Sequence, residues 1–397
     1  MLKVKNYNLQ VLFKIFLFIW ILFIPMKTSI YPMSYALMIV LFLIYICTKK
    51  KIIQVTQMIK EYKNLLLSFS LVIVAMTISN SFNNIFNFTG WRAEFHYIFR
   101  YLLLFLILLF LYKENFFTKK FLIITILFSL FIQAADGLFQ TVFHYDFIKG
   151  IKYNPSDGLA GATFNRNAFG MFMSIGASIS AGLLFHYKLL TLRKNEIFLL
   201  IALCILFVFN LFFSYSRASW LFFTIFSLIL FSTNCKKIDK YHIVFFTTFL
   251  FISVTIFLSN HSLLHRFYSL IEGNSSHRYE IWLHSLELIK QKLFFGYGLM
   301  SYSQIGIKGI SGVHNSILEI LLFLGLFGFL VYTNLLWQIL KKVISSKNTI
   351  YIGLFFAFLT ITQFDHSIIK SIASLSSLTL FAFFIFSKKT YDGKKII

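Results

Sequence analysis

Long apolar runs, each broken by a short polar cluster, repeat from one end of this chain to the other. A helix needs about 20 apolar residues to cross a bilayer core. The runs near 11–26, 31–48, 64–80, 97–112, 119–143, 159–187, 195–214, 218–234, 241–259, 314–340, 349–364 and 368–387 therefore predict transmembrane helices. Twelve spans put both termini on one side. The longest interruption, 260–313, carries a second pattern. Tyr279, Trp282, Leu283, Leu286, Ile289 and Leu293 recur at helical spacing, with Glu280, Glu287, Lys290 and Gln291 between them. That spacing predicts an amphipathic helix, lying on the membrane surface or over the spans, that stops at GYG (296–298). Neither a fixed-period repeat nor a separately folding soluble stretch is evident. Residues 1–397 read as one polytopic membrane domain with a large loop at 260–313 between spans nine and ten.

Composition agrees with this reading. With 58% hydrophobic residues, 53 Phe and 13% charged residues, the chain is not a soluble globular protein. Its net charge of +23 does not point to nucleic acid, because the charges sit in short loops between spans. CTKKK (47–51), YKENFFTKK (112–120), HYKLLTLRK (186–194), CKKIDK (235–240), KKVISSK (341–347) and SKKTYDGKK (387–395) all fall on one side, which marks that side as cytoplasmic. The N-terminus resembles a signal sequence, but no small-residue cleavage site follows Met26-Lys27, so an uncleaved first span is expected. The expected location is a bacterial inner membrane, with both termini cytoplasmic. Cys47, Cys204 and Cys235 lack paired spacing and indicate neither a disulfide framework nor a metal site.

The two cation types divide differently. Of the 30 Lys, 22 lie on the inner side. Of the seven Arg, only Arg193 does; Arg92, Arg100, Arg166, Arg217, Arg266 and Arg278 lie outside or near outer helix ends. Arginine's planar fork binds phosphate bidentately, whereas lysine is a point charge. A single outer Arg is accounted for by snorkelling or helix capping. Six on one face favour a phosphate-recognising outer site.

Within that face, Arg217 in FFSYSRASW (212–220) stands at interfacial depth among serines, and Arg278 opens the amphipathic helix, where the dipole also favours an anion. His314-Asn315 begins span ten. Such a His often caps or packs, but imidazole can also take a hydroxyl proton near neutral pH, and Asn315 can orient a sugar or phosphate. Glu319, one turn on from Asn315, needs a partner if buried. Asp365-His366 ends span eleven, and GLAGATFNRNAFG (158–170) places Asn165, Arg166 and Asn167 at the outer end of a small-residue span. His261 and His265 stand four apart without the Glu or third ligand of a zinc site. No acidic pair of the DxD kind occurs in the outer loops, so neither metal nor other cofactor is expected. Arginines neutralising a pyrophosphate leaving group, with a His activating a hydroxyl, fit this set of residues.

GATFNRNAFG (161–170), SYSRASW (214–220), RYEIWLHSLELIKQKLFFGYG (278–298) and HNSILEILLFLGLFGFL (314–330), in that order and with a large outer loop before the His-Asn, resemble the O-antigen ligase family within the O-antigen ligase/polymerase superfamily. The resemblance covers the C-terminal 60% of the chain. It implies an all-α, GT-C-like membrane enzyme working at the periplasmic face without metal or nucleotide. The enzyme would move a glycan from undecaprenyl pyrophosphate to a hydroxyl of lipid A-core. It implies Arg217 and Arg278 as pyrophosphate binders, His314 as the activating base or orienting residue, and Asp365 as a supporting acid. The short chain favours the ligase; a polymerase using the same donor is the alternative. A protein-glycosylating relative and a lipid-linked glycan flippase are less favoured, the flippase because its charges would spread through a central cavity.

Overall fold

Apolar runs that must satisfy their backbone polar groups inside a bilayer can do so as helices, and the computed structural model is helical over most of what it describes. It describes residues 2–26, 28–82, 88–154, 157–235, 277–310, 312–365 and 371–387, with residue 367 and single positions between 238 and 268. The helices are α1 (Leu2–Phe23), α2 (Ile30–Thr48), α3 (Ile52–Glu61), α4 (Lys63–Ser81), α5 (Phe88–Lys113), α6 (Lys119–Phe143), α7 (Arg166–Phe185), α8 (Lys194–Phe213), α9 (Arg217–Asn234), α10 (Arg278–Gln291), α11 (Ser316–Ser346), α12 (Thr349–Ile361) and α13 (Ile372–Phe386).

Among the described residues, α2, α4, α5, α6, α7, α8 and α11 are long and apolar enough to cross a membrane, and Asn8–Phe23, Thr349–Ile361 and Ser374–Phe386 are shorter apolar helices. The chain is thus a helical protein built to cross a membrane several times. The expected ninth span lies mostly outside the described residues, and Arg266 and His366 lie outside them. The expected span at 159–187 forms a helix only from Arg166, because the side chain of Asn165 accepts from the amides of Asn167 (2.8 Å) and Ala168 (3.1 Å) and so caps it there. α3 was not foreseen; it lies in the basic stretch between the second and third expected spans.

Two compact units make up the chain: residues 1–126, 283–346 and 367–397, and residues 127–282 and 347–366. In the first, α4 packs along α11 and α1 along α2. In the second, α7 is the buried centre, packed on α8 and α9, and α9 packs on α12. Glycines permit these approaches. A Cβ at Gly176 would come within 3.0 Å of the Phe207 ring, and one at Gly182 within 2.9 Å of Ile350. His186, just past α7, hydrogen-bonds Thr349 at 2.9 Å, so the C-terminal end of α7 meets the start of α12.

Polar residues of α6 serve its own loop. Asp136 accepts from the amide of Phe147 (2.8 Å) and Gln140 from that of Gly161 (2.9 Å), holding the segments 144–154 and 157–161 against the helix. Asn210 of α8 donates to the carbonyl of Ala134 at 3.1 Å.

Candidate active site

The four expected site motifs begin with the same backbone device. Phe164 (φ 61°), Tyr215 (φ 54°), His277 (φ 62°) and His314 (φ 56°) all adopt the left-handed region just before a helix that carries a candidate residue. Non-glycine residues enter that region at a cost of roughly 1–2 kcal/mol each. Lys50, Asn115, His144 and Lys347 share it just past helix C-termini, where left-handed closure is ordinary, and Thr191 and Met300 share it in turns. Tyr215 does both, closing α8 and opening α9.

In the second unit, this geometry brings two helix starts side by side. The amide of Leu159 donates to the carbonyl of Phe213 at 2.8 Å. A Cβ at Gly158 would lie 2.6 Å from the carbonyl oxygen of Ser214. At Gly170 it would lie 2.7 Å from the Ser214 hydroxyl, 2.9 Å from Cβ of Ser216 and 2.8 Å from the Ser219 hydroxyl. Only the missing side chain lets α7 sit against the first turn of α9. Arg166 and Arg217 are therefore the first residues of two adjacent helices, both half-buried, with two dipole ends adding to two guanidiniums.

Ser216 sits at the N-cap of α9 in extended conformation, its hydroxyl 2.8 Å from that of Ser219. Arg166 donates through Nη1 to the carbonyl of Asp157 at 2.9 Å. Burial, reinforced by Tyr215 and Asp157, holds the nearby Tyr153 hydroxyl well above the ordinary tyrosine range, so it stays protonated and able to donate. The packing of Gly353 on Phe226, with the α7–α12 contact, makes α12 antiparallel to both α7 and α9. Half-buried Asp365, just past α12, accordingly ends on the side of Arg166, Asn167 and Arg217. Arg278, also of this unit, opens α10 beside the His277–Glu280 pair (3.4 Å).

His314 and Asn315 belong to the first unit. His314 is half-buried. Asn315 caps α11, its side-chain oxygen accepting from the amide of Leu318 at 3.0 Å while its carbonyl accepts from that of Glu319 at 2.9 Å. Glu319 is buried.

The start of α11 is held by a clasp absent from the sequence reading. α11 breaks at Gly325 (φ 66°, ψ −168°), and the GYG turn after α10 enters the break. Tyr297 and Gly298 donate to the carbonyls of Leu322 and Phe323 (2.8 and 2.9 Å), while Leu326 and Phe327 donate to those of Leu293 and Phe294 (2.8 and 3.2 Å). A Cβ at Gly296 would lie 2.5 Å from the backbone of Phe323, and one at Gly325 2.3 Å from that of Phe294. α4 closes the arrangement. The Ser79 hydroxyl donates to the carbonyl of Phe323 (2.5 Å) and accepts from the amide of Gly298 (3.0 Å). Asn80 accepts from the amide of Leu299 (2.9 Å) and donates to Glu94 (2.9 Å). Ser79 and Asn80 are buried polar residues at the end of the apolar run 64–80, and that is the signal by which they could have been found; Glu94, in the mixed stretch before the next run, carries no such mark.

α10 differs from expectation in its faces. Of the expected apolar face, Ile289 is buried with Ile281, Ser285 and Leu288, and Trp282 is half-buried, whereas Tyr279, Leu283, Leu286 and Leu293 are exposed. One face packs on protein, and the other is left for the bilayer surface.

The fold is that of a helical multi-pass membrane protein in which Arg166, Arg217 and Arg278 each open a helix. Residues 202–333 match the O-antigen ligase family, as the resemblance in sequence implied. The matched stretch holds Arg217, Arg278, His314 and Asn315; Arg166, Asn167 and Asp365 lie outside it. No curated protein matches the chain.

Proposed function

We propose that this chain is a glycosyltransferase of the O-antigen ligase type, moving a glycan from undecaprenyl pyrophosphate to a hydroxyl of lipid A-core at the periplasmic face. The carrying observation is that one family match spans both pyrophosphate-binding candidates and the candidate base. The side-by-side starts of α7 and α9 support the reading, because two dipole ends and two guanidiniums suit a ligand with several negative oxygens.

The acceptor oxygen attacks the anomeric carbon and forms the new C–O bond, while the bond to the pyrophosphate oxygen breaks. His314 takes the hydroxyl proton. The carrier pyrophosphate leaves with the bonding pair, and Arg217 and Arg278 meet its growing charge. Charge-assisted contacts are worth about 1.5–3 kcal/mol each, and those that strengthen as the bond breaks lower the barrier. Arg166, Asn167, Asn315 and Asp365 act in support, and the roles given to His and Arg leave none for a metal.

The test is complementation of a strain deleted for this gene, with lipopolysaccharide resolved by length. His314→Ala should reach the membrane at wild-type level and restore no chain-bearing lipopolysaccharide. Arg217→Lys should lower transfer about 10- to 100-fold, one charge-assisted contact, because an ammonium keeps the charge but not the fork. Normal transfer by His314→Ala would sink the assignment of the base. The deletion itself separates the two acceptors: a lost ligase leaves polymerised chains on the carrier and bare core, and a lost polymerase leaves core with a single repeat.

A further inference from the structure

At the other end of the first unit from His314, α3, α4, α11 and α13 enclose a cavity of about 410 Å³. Its floor is apolar: Tyr62, Leu65 and Phe386 are buried, and the Tyr62 hydroxyl is engaged with the carbonyl of Phe386 at 3.1 Å. Its wall is cationic and polar, formed by Gln338, Lys341 and Lys342 on successive turns of α11. The acid among the lining residues, Glu61, pairs with Lys113, and α11 adds the two cations Lys341 and Lys342 to the wall.

Two neighbours indicate what kind of molecule this cavity meets. The Lys341 ammonium lies 5.3 Å from the ring centre of Trp337, a half-exposed indole of the kind that sits at headgroup level. α3, which leads into the cavity, is amphipathic and mostly uncovered. Ile52, Ile53 and Ile59 are exposed along it, while Gln54, Gln57 and Lys60 supply its polar side. Such a helix lies in the plane of a bilayer surface. A phosphate alone would use the lysines and leave the Leu65–Phe386 floor wet; an acyl-bearing phosphate uses both.

We propose that this cavity binds the phosphate headgroup of an anionic phospholipid in the leaflet that the basic loops face. Lys341 and Lys342 hold the phosphate, Gln338 donates to the headgroup, and the floor receives the first part of the chains. The cavity lies at the other end of the first unit from His314 and its readout is lipid binding, so it stands or falls separately from the proposed reaction.

The experiment titrates the purified full-length protein with phosphatidylglycerol, and separately with phosphatidylcholine, counting bound lipid by native mass spectrometry. Near a membrane surface each lysine contributes about five-fold in affinity, so K341Q/K342Q should weaken phosphatidylglycerol binding about 25-fold. K341R/K342R keeps the charge and should bind as wild type. Phosphatidylcholine should bind weakly, and inorganic phosphate should not displace phosphatidylglycerol. Wild-type affinity in K341Q/K342Q, equal loss in the Arg variant, or displacement by inorganic phosphate would each overturn the proposal.

Discussion

His314 is under two constraints at once, one in its backbone and one in its ring. Its left-handed φ of 56° turns the chain into α11, and its imidazole is the proposed base. Substitutions separate the two. Asn tolerates the left-handed region better than most residues, whereas a β-branched side chain does not. His314→Asn should therefore keep the wild-type melting temperature in detergent while losing transfer. His314→Val should lose transfer and also about 1–2 kcal/mol of stability, read as a lower melting temperature in the same assay. Equal melting of the two variants would show that the turn is not strained. At this scale the separation of Arg from Lys was legible, because charge placement is written directly in the sequence. The left-handed turns at Phe164 and Tyr215 were not, since aromatic residues carry no preference for that region. Asn315 shows the ordinary and the functional reading coexisting: it caps a helix whether or not it also meets substrate.

At the scale of elements, the clasp between the GYG turn and the broken α11 decides where His314 stands. Its two ends are tied by four backbone hydrogen bonds and by Ser79, so the helix start cannot shift without undoing them. Gly296→Ala and Gly325→Ala should each cost at least about 1–3 kcal/mol from the backbone conformation alone, with a clash against Phe323 or Phe294 added. Gly309→Ala is the control. It has a comparable φ of 86°, but nothing within 4 Å of its Cβ position, so it should melt several degrees above the other two. Similar melting of all three would show that the clasp carries no load. The sequence pointed to the stop at GYG but not to the break. Gly325 stands in an unbroken apolar run, and the partner that opens the helix, Phe294, is 31 residues away. Long-range backbone pairing leaves no periodic trace. The faces of α10 were half legible for a related reason: hydrophobic spacing marks an amphipathic helix without saying which side meets protein and which meets lipid.

Over the whole molecule, the helices and the basic loops were legible because hydropathy and lysine placement act locally and repeat many times. The gathering of α7 and α9 starts was not, because it depends on what glycine at 158 and 170 allows another segment to do. The side each loop is expected to face rests on the lysines alone, and the native cysteines offer a direct check. Cys47 stands in the last turn of α2 and Cys235 follows α9; both are exposed, and both adjoin lysine-rich loops. Cys204 is buried within α8, out of reach of an added reagent. A membrane-impermeant maleimide added to intact spheroplasts should leave the protein unlabelled, while a permeant one labels Cys47 and Cys235. Lys308→Cys introduces an exposed thiol in the loop between α10 and α11, and it should be labelled by the impermeant reagent from outside. Outside labelling of Cys47 or Cys235, or protection of the new thiol, would invert the topology. The proposed active site would then face the cytoplasm and the lysine-lined cavity the outer leaflet.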